Sequence, residues 1–219
     1  MALSTSRAYH QIDTPRLIIR SAVQDDAQAI ADLRGKPENN PFTQVEPGLS
    51  AEVFNTRIVE WTASAGRGEN AFMVIILRDK AKLPADSAGA HSDHGTLIGF
   101  GGFNSLNYGP ALDGSTRTVL IADTGCMIDH VHWRKGYARE ALCASVEYAL
   151  HVLGCDHITI DTAIDNQPWR ELMRSVGLRG VEEKRNAGND GDLEWVYKFG
   201  KDAWRDAKAD MIARGIWML

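Results

Sequence analysis

The sequence predicts a single mixed α/β domain, and three observations support this fold class. A long apolar stretch, Thr118–Ile128, is followed by helical spacing up to Leu153 and by a second strand pattern, His157–Ala163. This strand–helix–strand order favours two parallel neighbours. The strand patterns before it, Ala71–Leu77 and Thr96–Phe103, are joined by a hairpin loop, which favours antiparallel neighbours. The chain has 219 residues, of which 44% are apolar and 24% charged, and this is enough to bury a real core.

The first part of the chain predicts one strand and two helices. Leu17–Arg20 has a strand pattern, and Asp25 and Asp26 begin a short helix. Ser50 is a suitable N-cap for the second helix, which the glycines at 66 and 68 close. Three segments with turn residues or small polar residues are predicted to be loops, where binding residues are often found: Gly35–Ser50, Arg78–His94 and Asn104–Arg117.

The last part of the chain predicts a helix, a strand and a final helix. Asn166–Val176 has helical spacing and ends at Gly177, Leu193–Phe199 alternates as a strand does, and Asp202–Arg214 is amphipathic. The residues 182–183 and 186–192 are predicted to be solvated turns. We therefore expect one domain over residues 1–219, with its core at about 14–199 and a C-terminal helix at 200–219.

Charge and cysteine content narrow the function classes. The net charge of −5 argues against nucleic acid as a partner, because that affinity rests on basic surface. No apolar run is long enough to span a membrane, and no secretory leader is visible at the N-terminus. The three cysteines are widely spaced and form no zinc pattern, so we expect reduced thiols, no metal and a cytoplasmic protein. His91 and His94 are the nearest approach to a metal-ligand pair.

The segment after Ile128 carries the clearest chemical signal. A buried strand ends there, a short basic loop with Gly136 follows, and a helix begins. The first amides of a helix have no internal partner and carry partial positive charge, so they attract anions, above all phosphate. Gly136 allows close approach of the backbone, and Arg134, Lys135 and Arg139 add positive charge. The segment therefore predicts a pyrophosphate-binding loop, and the alternative is a basic, solvated turn.

The sequence around this loop resembles the GNAT superfamily of acyl-CoA N-acyltransferases, in the branch of the ribosomal-protein-alanine acetyltransferases. The family signature Arg/Gln-x-x-Gly-x-Gly/Ala is matched by Gly136 and Ala138, whereas Trp133 replaces its first residue. The opening Thr14–Arg20 and the segment from Asn166 to Leu178 resemble two further parts of the same branch. The resemblance implies a central, mostly antiparallel sheet in which a parallel pair of strands splays apart, with helices on both sides.

The resemblance also implies a cofactor site and a reaction. Acetyl-CoA would be the acetyl donor, and its pantetheine would contact the backbone of the splayed strand and the side chain of Asn166. Its pyrophosphate would lie on the loop amides. The residues implied in cofactor binding are Cys126, Met127, Ile128, Trp133, Arg134, Lys135, Gly136, Tyr137, Ala138, Arg139 and Asn166. Trp133 and Trp169 flank the implied groove, where they either stack on a substrate or fill space.

The strand itself offers a general base. Asp123 is a carboxylate inside an apolar run, where burial raises a carboxyl pKa. Its position resembles that of the family's strand-borne glutamate, so we expect it to deprotonate the amine, although a structural salt bridge is the alternative. Asp161 is a second candidate for the base. The residues at the expected positions of the general acid, Met173 and Trp169, are not acids.

These observations lead to a hypothesis with two alternatives. We expect an acetyl-CoA-dependent N-acetyltransferase in which a primary amine of a small molecule or peptide attacks the thioester directly. The missing general acid suggests the first alternative, a non-catalytic acyl-CoA-binding module. Trp133 and Trp169 suggest the second, a different reaction on the same fold. Many members of the family form dimers, so a homodimer is also an expectation.

Overall fold

The computed structural model describes residues 5–78, 95–187 and 193–219. Within these ranges the chain forms a central sheet with helices on both faces. The strands are β1 (Gln11–Asp13), β2 (Leu17–Ser21), β3 (Ala71–Arg78), β4 (Gly95–Pro110), β5 (Thr118–Ile128), β6 (His157–Ala163), β7 (Glu182–Asn186) and β8 (Leu193–Gly200). The helices are α1 (Ala27–Gly35), α2 (Ala51–Arg67), α3 (Tyr137–Tyr148), α4 (Gln167–Ser175) and α5 (Lys201–Ala213).

The described strands form a sheet with the order β1-β2-β3-β4-β5-β6-β8-β7. Strands β5 and β6 pair in parallel, and each of the other neighbouring pairs is antiparallel. Helix α3 connects the two parallel strands, as a parallel crossover requires. The predicted fold class, a mostly antiparallel mixed α/β sheet with one parallel pair, is confirmed.

The sheet buries one apolar cluster on each face. On one face the side chains of α3, α4 and α5 pack over the sheet, with Leu150, Met173 and Trp204 fully or almost fully buried. On the other face α1 and α2 cover β2, β3 and β4, and Ile30 and Phe54 have no exposed surface. Because α1 and α2 lie over these strands, they do not cover the second face of β6, β8 and β7.

The predicted caps of α2 and the predicted end of the third helix are confirmed. The Ser50 Oγ accepts a hydrogen bond from the Val53 amide at 3.3 Å, and Gly68 closes α2 in the left-handed conformation with φ 77°. Helix α3 continues into one π-helical turn, Ala149–Leu153, which ends at Gly154 with φ 75°. Among the described residues, no helix is both long and apolar enough to cross a membrane.

Two predicted connections are wrong because their backbone pairs with a neighbouring strand. The segment 104–117 was predicted to be a loop, but β4 continues to Pro110 and pairs with β5 up to the Pro110–Thr118 register, so only the part beyond Pro110 turns. Glu182 and Glu183 were predicted to form a turn, but they begin β7, which pairs with β8. Both segments are polar, and pairing with the next strand overrides their weak strand propensity.

Other predictions fall partly or wholly outside the described ranges. The loop 78–94 is described only at Arg78, which ends β3. His91 and His94 lie outside the described residues, as does most of the predicted turn 186–192. In the parts of the chain that are described, no three His, Cys, Asp or Glu side chains come together as a metal-binding group.

Candidate active site

The parallel strands β5 and β6 separate soon after they meet. Their register begins at Ile121–His157 and ends at Asp123–Thr159. Beyond that point β5 continues to Ile128 along β4, whereas β6 continues to Ala163 along β8. The two strand ends therefore splay apart and leave a groove between them, with Asp123 at its inner end.

The backbone of β5 presents polar groups to this groove. The Asp129 amide donates to the Ile98 carbonyl of β4 at 2.7 Å. Successive residues of a strand direct their backbone groups to alternate sides, so those of Met127 also face β4, whereas those of Cys126 and Ile128 face the groove. Because β5 and β6 no longer pair at this depth, the Cys126 amide and carbonyl are available to a ligand.

The loop after β5 has the conformation of an anion site. Arg134 and Gly136 both have positive φ, at 61° and 82°. In the described ranges, Arg134 is the only residue other than glycine with a positive φ. Successive amides in a turn can form a concave site for an anion. Gly136 is the N-cap of α3 and no side chain from the described residues caps this helix, so the amides of Tyr137, Ala138 and Arg139 have no internal acceptor.

The basic side chains of the loop face solvent. Arg134 and Lys135 are exposed, and Arg134 lies 3.7 Å from Glu171 on α4. This contact brings the loop within side-chain reach of α4. The Arg139 Nε is buried and has no hydrogen-bond partner among the described residues.

Trp133 closes the loop onto the end of β5. Its indole Nε1 donates to the Ile128 carbonyl at 2.6 Å, while 43% of the residue surface stays exposed. The Ile128 carbonyl faces the groove. Its hydrogen bond to the Trp133 indole therefore engages one of the polar groups that β5 presents there. Trp133 therefore contributes to the wall of the groove at the position where the family signature has Arg or Gln.

Asn166 and Trp169 are placed at the start of α4, directly after β6. The Asn166 Oδ1 accepts from the Trp169 amide at 3.2 Å, and its Nδ2 donates to the Thr162 Oγ1 at 2.8 Å. The Asn166 amide thus caps α4 and has both ends engaged within the protein. The Trp169 ring is partly buried, and its Nε1 is buried without a partner among the described residues.

Asp123 has the surroundings of a general base. It is partly buried, and its Oδ1 has no hydrogen-bond partner in the described part of the chain. Burial is the largest cause that raises the pKa of Asp123 to about 6, the negative charge of Asp161 adds to it, and a hydrogen bond from Asn104 opposes it. A carboxyl with such a pKa is ionised at neutral pH and basic enough to accept a proton.

The carboxylates around Asp123 differ from it in exposure and pairing. Asp161, the second candidate for the base, is about half exposed, and its Oδ2 lies 3.6 Å from Arg185. Arg185 also forms an ion pair with Glu194 at 2.5 Å. Asp161 therefore belongs to a paired surface group, whereas Asp123 carries an unpaired oxygen at the inner end of the groove.

The Met173 side chain on α4 and the Cys126 thiol on β5 do not supply a general acid or a nucleophile. Met173 is completely buried in the core and has no proton to donate. Burial raises the pKa of the Cys126 thiol to about 12, so the thiol stays protonated and is a poor nucleophile.

Comparison with known proteins identifies the family. The family model described as an acetyltransferase (GNAT) domain matches residues 16–179. The chain belongs to the GNAT family. The family and the enzyme class that the sequence predicts, GNAT and an acetyltransferase, are thereby confirmed.

One sequence relative and two solved structures illustrate the similarity of this GNAT protein to others. It is 25% identical over 168 residues to the uncharacterized N-acetyltransferase YoaA of Bacillus subtilis, covering 77% of this chain and 82% of that protein. RimJ of Mycobacterium smegmatis, solved in complex with CoA-disulfide, aligns with a TM-score of 0.67 and 17% identity over 94% of both chains. The ribosomal-protein-S5-alanine acetyltransferase of Vibrio fischeri aligns with a TM-score of 0.66 and 13% identity over 89% of this chain and 98% of that one.

Two groups of residues in this GNAT protein that the sequence analysis did not single out contact the loop between β5 and α3 or its flank. Arg16 and Glu140 form an ion pair beside the loop, in which Glu140 is fully buried and Arg16 is partly exposed. Lys36 pairs with Asp129 at 2.7 Å, and the Asn39 Oδ1 accepts from the His130 amide at 2.7 Å, so the segment after α1 is tied to the end of β5. Only Thr14-Pro15-Arg16 gave a signal in the sequence, as part of the family's opening strand.

Proposed function

We propose that this GNAT protein transfers the acetyl group of acetyl-CoA to a primary amine, with residues 1–219 acting as one transferase domain. The observation that carries this proposal is the placement of the uncapped amides of α3 beside the splayed end of β5. The loop can hold a pyrophosphate, and the groove next to it presents backbone donors to the chain that follows the pyrophosphate in CoA. An acyl-CoA combines the pyrophosphate and this chain in a single ligand, and it carries the acyl thioester at the end of the chain.

The residues present fit this ligand. The Gly136, Tyr137, Ala138 and Arg139 amides would hold the pyrophosphate, with Arg134 and Lys135 adding charge at the solvent side. The Cys126 carbonyl would accept from the pantetheine, and the Cys126 amide would donate to the thioester oxygen as negative charge develops there. Backbone donors held in place before the reaction are an effective way to stabilise such a charge.

Asp123 would remove the proton from the attacking ammonium, directly or through water. The amine nitrogen then forms a bond to the thioester carbon and loses a second proton to solvent, the carbon–sulfur bond breaks, and CoA leaves as a thiolate. Because neither Met173 nor Trp169 supplies an acid, solvent would protonate the thiolate. No enzyme-bound acetyl group is needed, in agreement with the raised pKa of the Cys126 thiol.

The acceptor would approach from the face of the sheet that α1 and α2 leave uncovered beside Asp123. The carboxylates of Asp123, Asp161 and Glu194 make this approach negatively charged, since Arg185 offsets only part of their charge. A cationic amine on a small molecule or on a peptide fits this approach. A nucleic acid does not fit it.

Thermal unfolding with acetyl-CoA, and with ATP as a control of similar charge, tests the cofactor site. A ligand at about 100 times its dissociation constant adds roughly 2.7 kcal/mol to the free energy of unfolding, which gives a clear rise in Tm. We expect this rise with acetyl-CoA and not with ATP. No rise with acetyl-CoA, measured also by calorimetric titration, would contradict the assignment of the loop.

Release of free thiol from acetyl-CoA in the presence of a panel of primary amines tests the reaction. The panel includes polyamines, amino sugars and peptides with free N-termini. We expect release with at least one class. Binding of acetyl-CoA without release across the panel would instead favour the non-catalytic acyl-CoA-binding module that the missing acid suggests.

A further inference from the structure

We propose that Arg16 is a positioning residue for the cofactor loop, the segment 133–136 that precedes α3. Arg16 holds this loop in its anion-binding conformation and is itself held by the buried carboxylate of Glu140. This inference rests on the proposed function, because it assigns a task to residues that do not touch the cofactor. It concerns three contacts of the Arg16 guanidinium group, with the Glu140 carboxylate, the Lys135 carbonyl and the Tyr137 ring.

The first part of this arrangement is Glu140, which lies in the first turn of α3 and has no exposed surface. Its Oε1 accepts from the Thr14 hydroxyl at 2.6 Å and from the Arg16 amide at 2.9 Å, and its Oε2 accepts from the Arg16 Nε at 2.5 Å. A buried charge is tolerated only when it is paired and hydrogen-bonded, and these contacts meet that condition. Glu140 thereby fixes the direction in which the Arg16 side chain leaves β2.

The second part is the contact of Arg16 with the loop. Its Nη1 donates to the Lys135 carbonyl at 2.9 Å, and its guanidinium carbon lies 4.6 Å from the centre of the Tyr137 ring. The Lys135 carbonyl and the Gly136 amide belong to the same peptide unit. Arg16 therefore controls the orientation of the unit from which the first loop amide projects.

The consequence follows from the geometry of a trans peptide, in which the carbonyl and the amide point in opposite directions. Arg16 holds the Lys135 carbonyl on its own side of the loop, so the Gly136 amide points to the opposite side, away from Arg16. Without this contact the peptide unit can rotate and direct a carbonyl oxygen to the place where the anion lies. A carbonyl oxygen there would repel the pyrophosphate.

The fork shape of arginine is needed for this arrangement. Arg16 donates to Glu140 through Nε and to Lys135 through Nη1, which lie on different edges of one rigid, planar group, while the face of the group covers Tyr137. A lysine can preserve the ion pair with Glu140, but its single ammonium cannot also reach the Lys135 carbonyl. Arg16→Lys therefore keeps the positive charge that pairs with Glu140 and removes the hydrogen bond to the Lys135 carbonyl.

The chain offers a matched control in Arg78, at the end of β3. Its Nε donates to the carbonyls of Thr14 and Leu17 at 3.1 and 3.2 Å, and its Nη2 pairs with Asp13. It braces the same turn between β1 and β2, but none of these contacts reaches the cofactor loop. Arg78→Lys thus makes the same chemical change in the same part of the fold.

Hydrogen exchange of the ligand-free proteins tests the positioning itself. The Glu140 amide, which donates to the Gly136 carbonyl at 3.1 Å, reports on the loop conformation. We expect it to exchange faster in Arg16→Lys than in the natural protein, and at an unchanged rate in Arg78→Lys. Equal exchange in Arg16→Lys and the natural protein would overturn the inference, whether or not the protein binds CoA. Faster exchange together with no binding of CoA by the natural protein would leave the positioning in place and refute the proposed function.

Calorimetric titration with CoA tests the effect on binding. We expect the Kd to rise about tenfold in Arg16→Lys, the effect of losing one charge-assisted hydrogen bond, and to stay the same in Arg78→Lys. In turnover, the KM for acetyl-CoA should rise while kcat and the KM for the amine stay close to those of the natural protein. A fall in kcat with an unchanged KM for acetyl-CoA would contradict a positioning role at this loop.

A double variant separates positioning from stability. Arg16→Met alone leaves Glu140 buried without its partner, which lowers the Tm. Adding Glu140→Gln removes the buried charge, so we expect the Tm to recover while the Kd for CoA remains raised. Recovery of the Kd together with the Tm would show that Arg16 acts only through stability.

Discussion

Replacing Asp123 by Asn is expected to lower kcat by about 10² to 10⁴-fold, the usual contribution of a positioned general base. The change is nearly isosteric and removes the negative charge of the side chain together with its ability to accept a proton. Asp123 lies at the inner end of the groove, away from the loop that holds the pyrophosphate, so the affinity for acetyl-CoA should not change. Steady-state turnover and calorimetric titration of the same preparations measure the two effects. Unchanged turnover in Asp123→Asn would remove this residue from the mechanism.

The pH dependence gives a second check on the same residue. The base must be ionised to act, and the pKa of Asp123 is raised to about 6, so kcat/KM should rise with pH through an apparent pKa near that value and then level off. This limb should be absent in Asp123→Asn. An acid limb that persists unchanged in the variant would belong to another group.

Asp161→Asn is the matched control for Asp123. It makes the same substitution in the neighbouring carboxylate, which is about half exposed and lies 3.6 Å from Arg185. Most of the turnover should be retained. Because the charge of Asp161 raises the pKa of Asp123, its removal should move the acid limb to lower pH. If Asp161→Asn abolished turnover and Asp123→Asn did not, the two roles would be reversed.

Replacing Gly136 by Ala is expected to weaken the binding of acetyl-CoA by about tenfold, because the left-handed conformation costs a residue with a Cβ about 1–2 kcal/mol. The φ of Gly136 is 82°, and a Cβ would lie 3.4 Å from the Arg16 Nη2 and 3.8 Å from Met218. Contact with these flexible side-chain ends can relax, so the backbone conformation is the main cost. The loop would relieve it by turning the amides of residues 136 to 139 away from the ligand. Calorimetric titration measures the change in Kd.

Gly48→Ala controls for the loss of a left-handed glycine in general. Gly48 has φ 75°, and a Cβ there would meet nothing within 4 Å, so the conformational cost is similar but the position is in the connection between α1 and α2. We expect a lower Tm in both variants and a raised Kd for acetyl-CoA only in Gly136→Ala. Equal Kd values in both variants would show that the conformation of Gly136 does not govern cofactor binding.

The sequence alone determined those features that depend on local chemistry. The order of the five helices and of the strands β2, β3, β4, β5, β6 and β8, the caps at Ser50 and Gly68, and the basic loop before α3 were predicted because apolar spacing and capping residues act over a few neighbouring positions. The family resemblance added the splay of β5 from β6, which the short register between them bears out. Asp123 could be selected because a carboxylate in an apolar run is conspicuous in the sequence itself.

Only the tertiary structure decided which distant residues meet. The continuation of β4 to Pro110 and the polar strand β7 depend on pairing with a neighbouring strand, which local propensity does not encode. The pairing of Arg16 with Glu140 joins residues that are 124 positions apart. In the sequence Glu140 has the pattern of an ordinary residue in the first turn of a helix. Its complete burial becomes evident only when β2 and α3 pack together, because the chemistry of a side chain depends on the groups that folding brings around it.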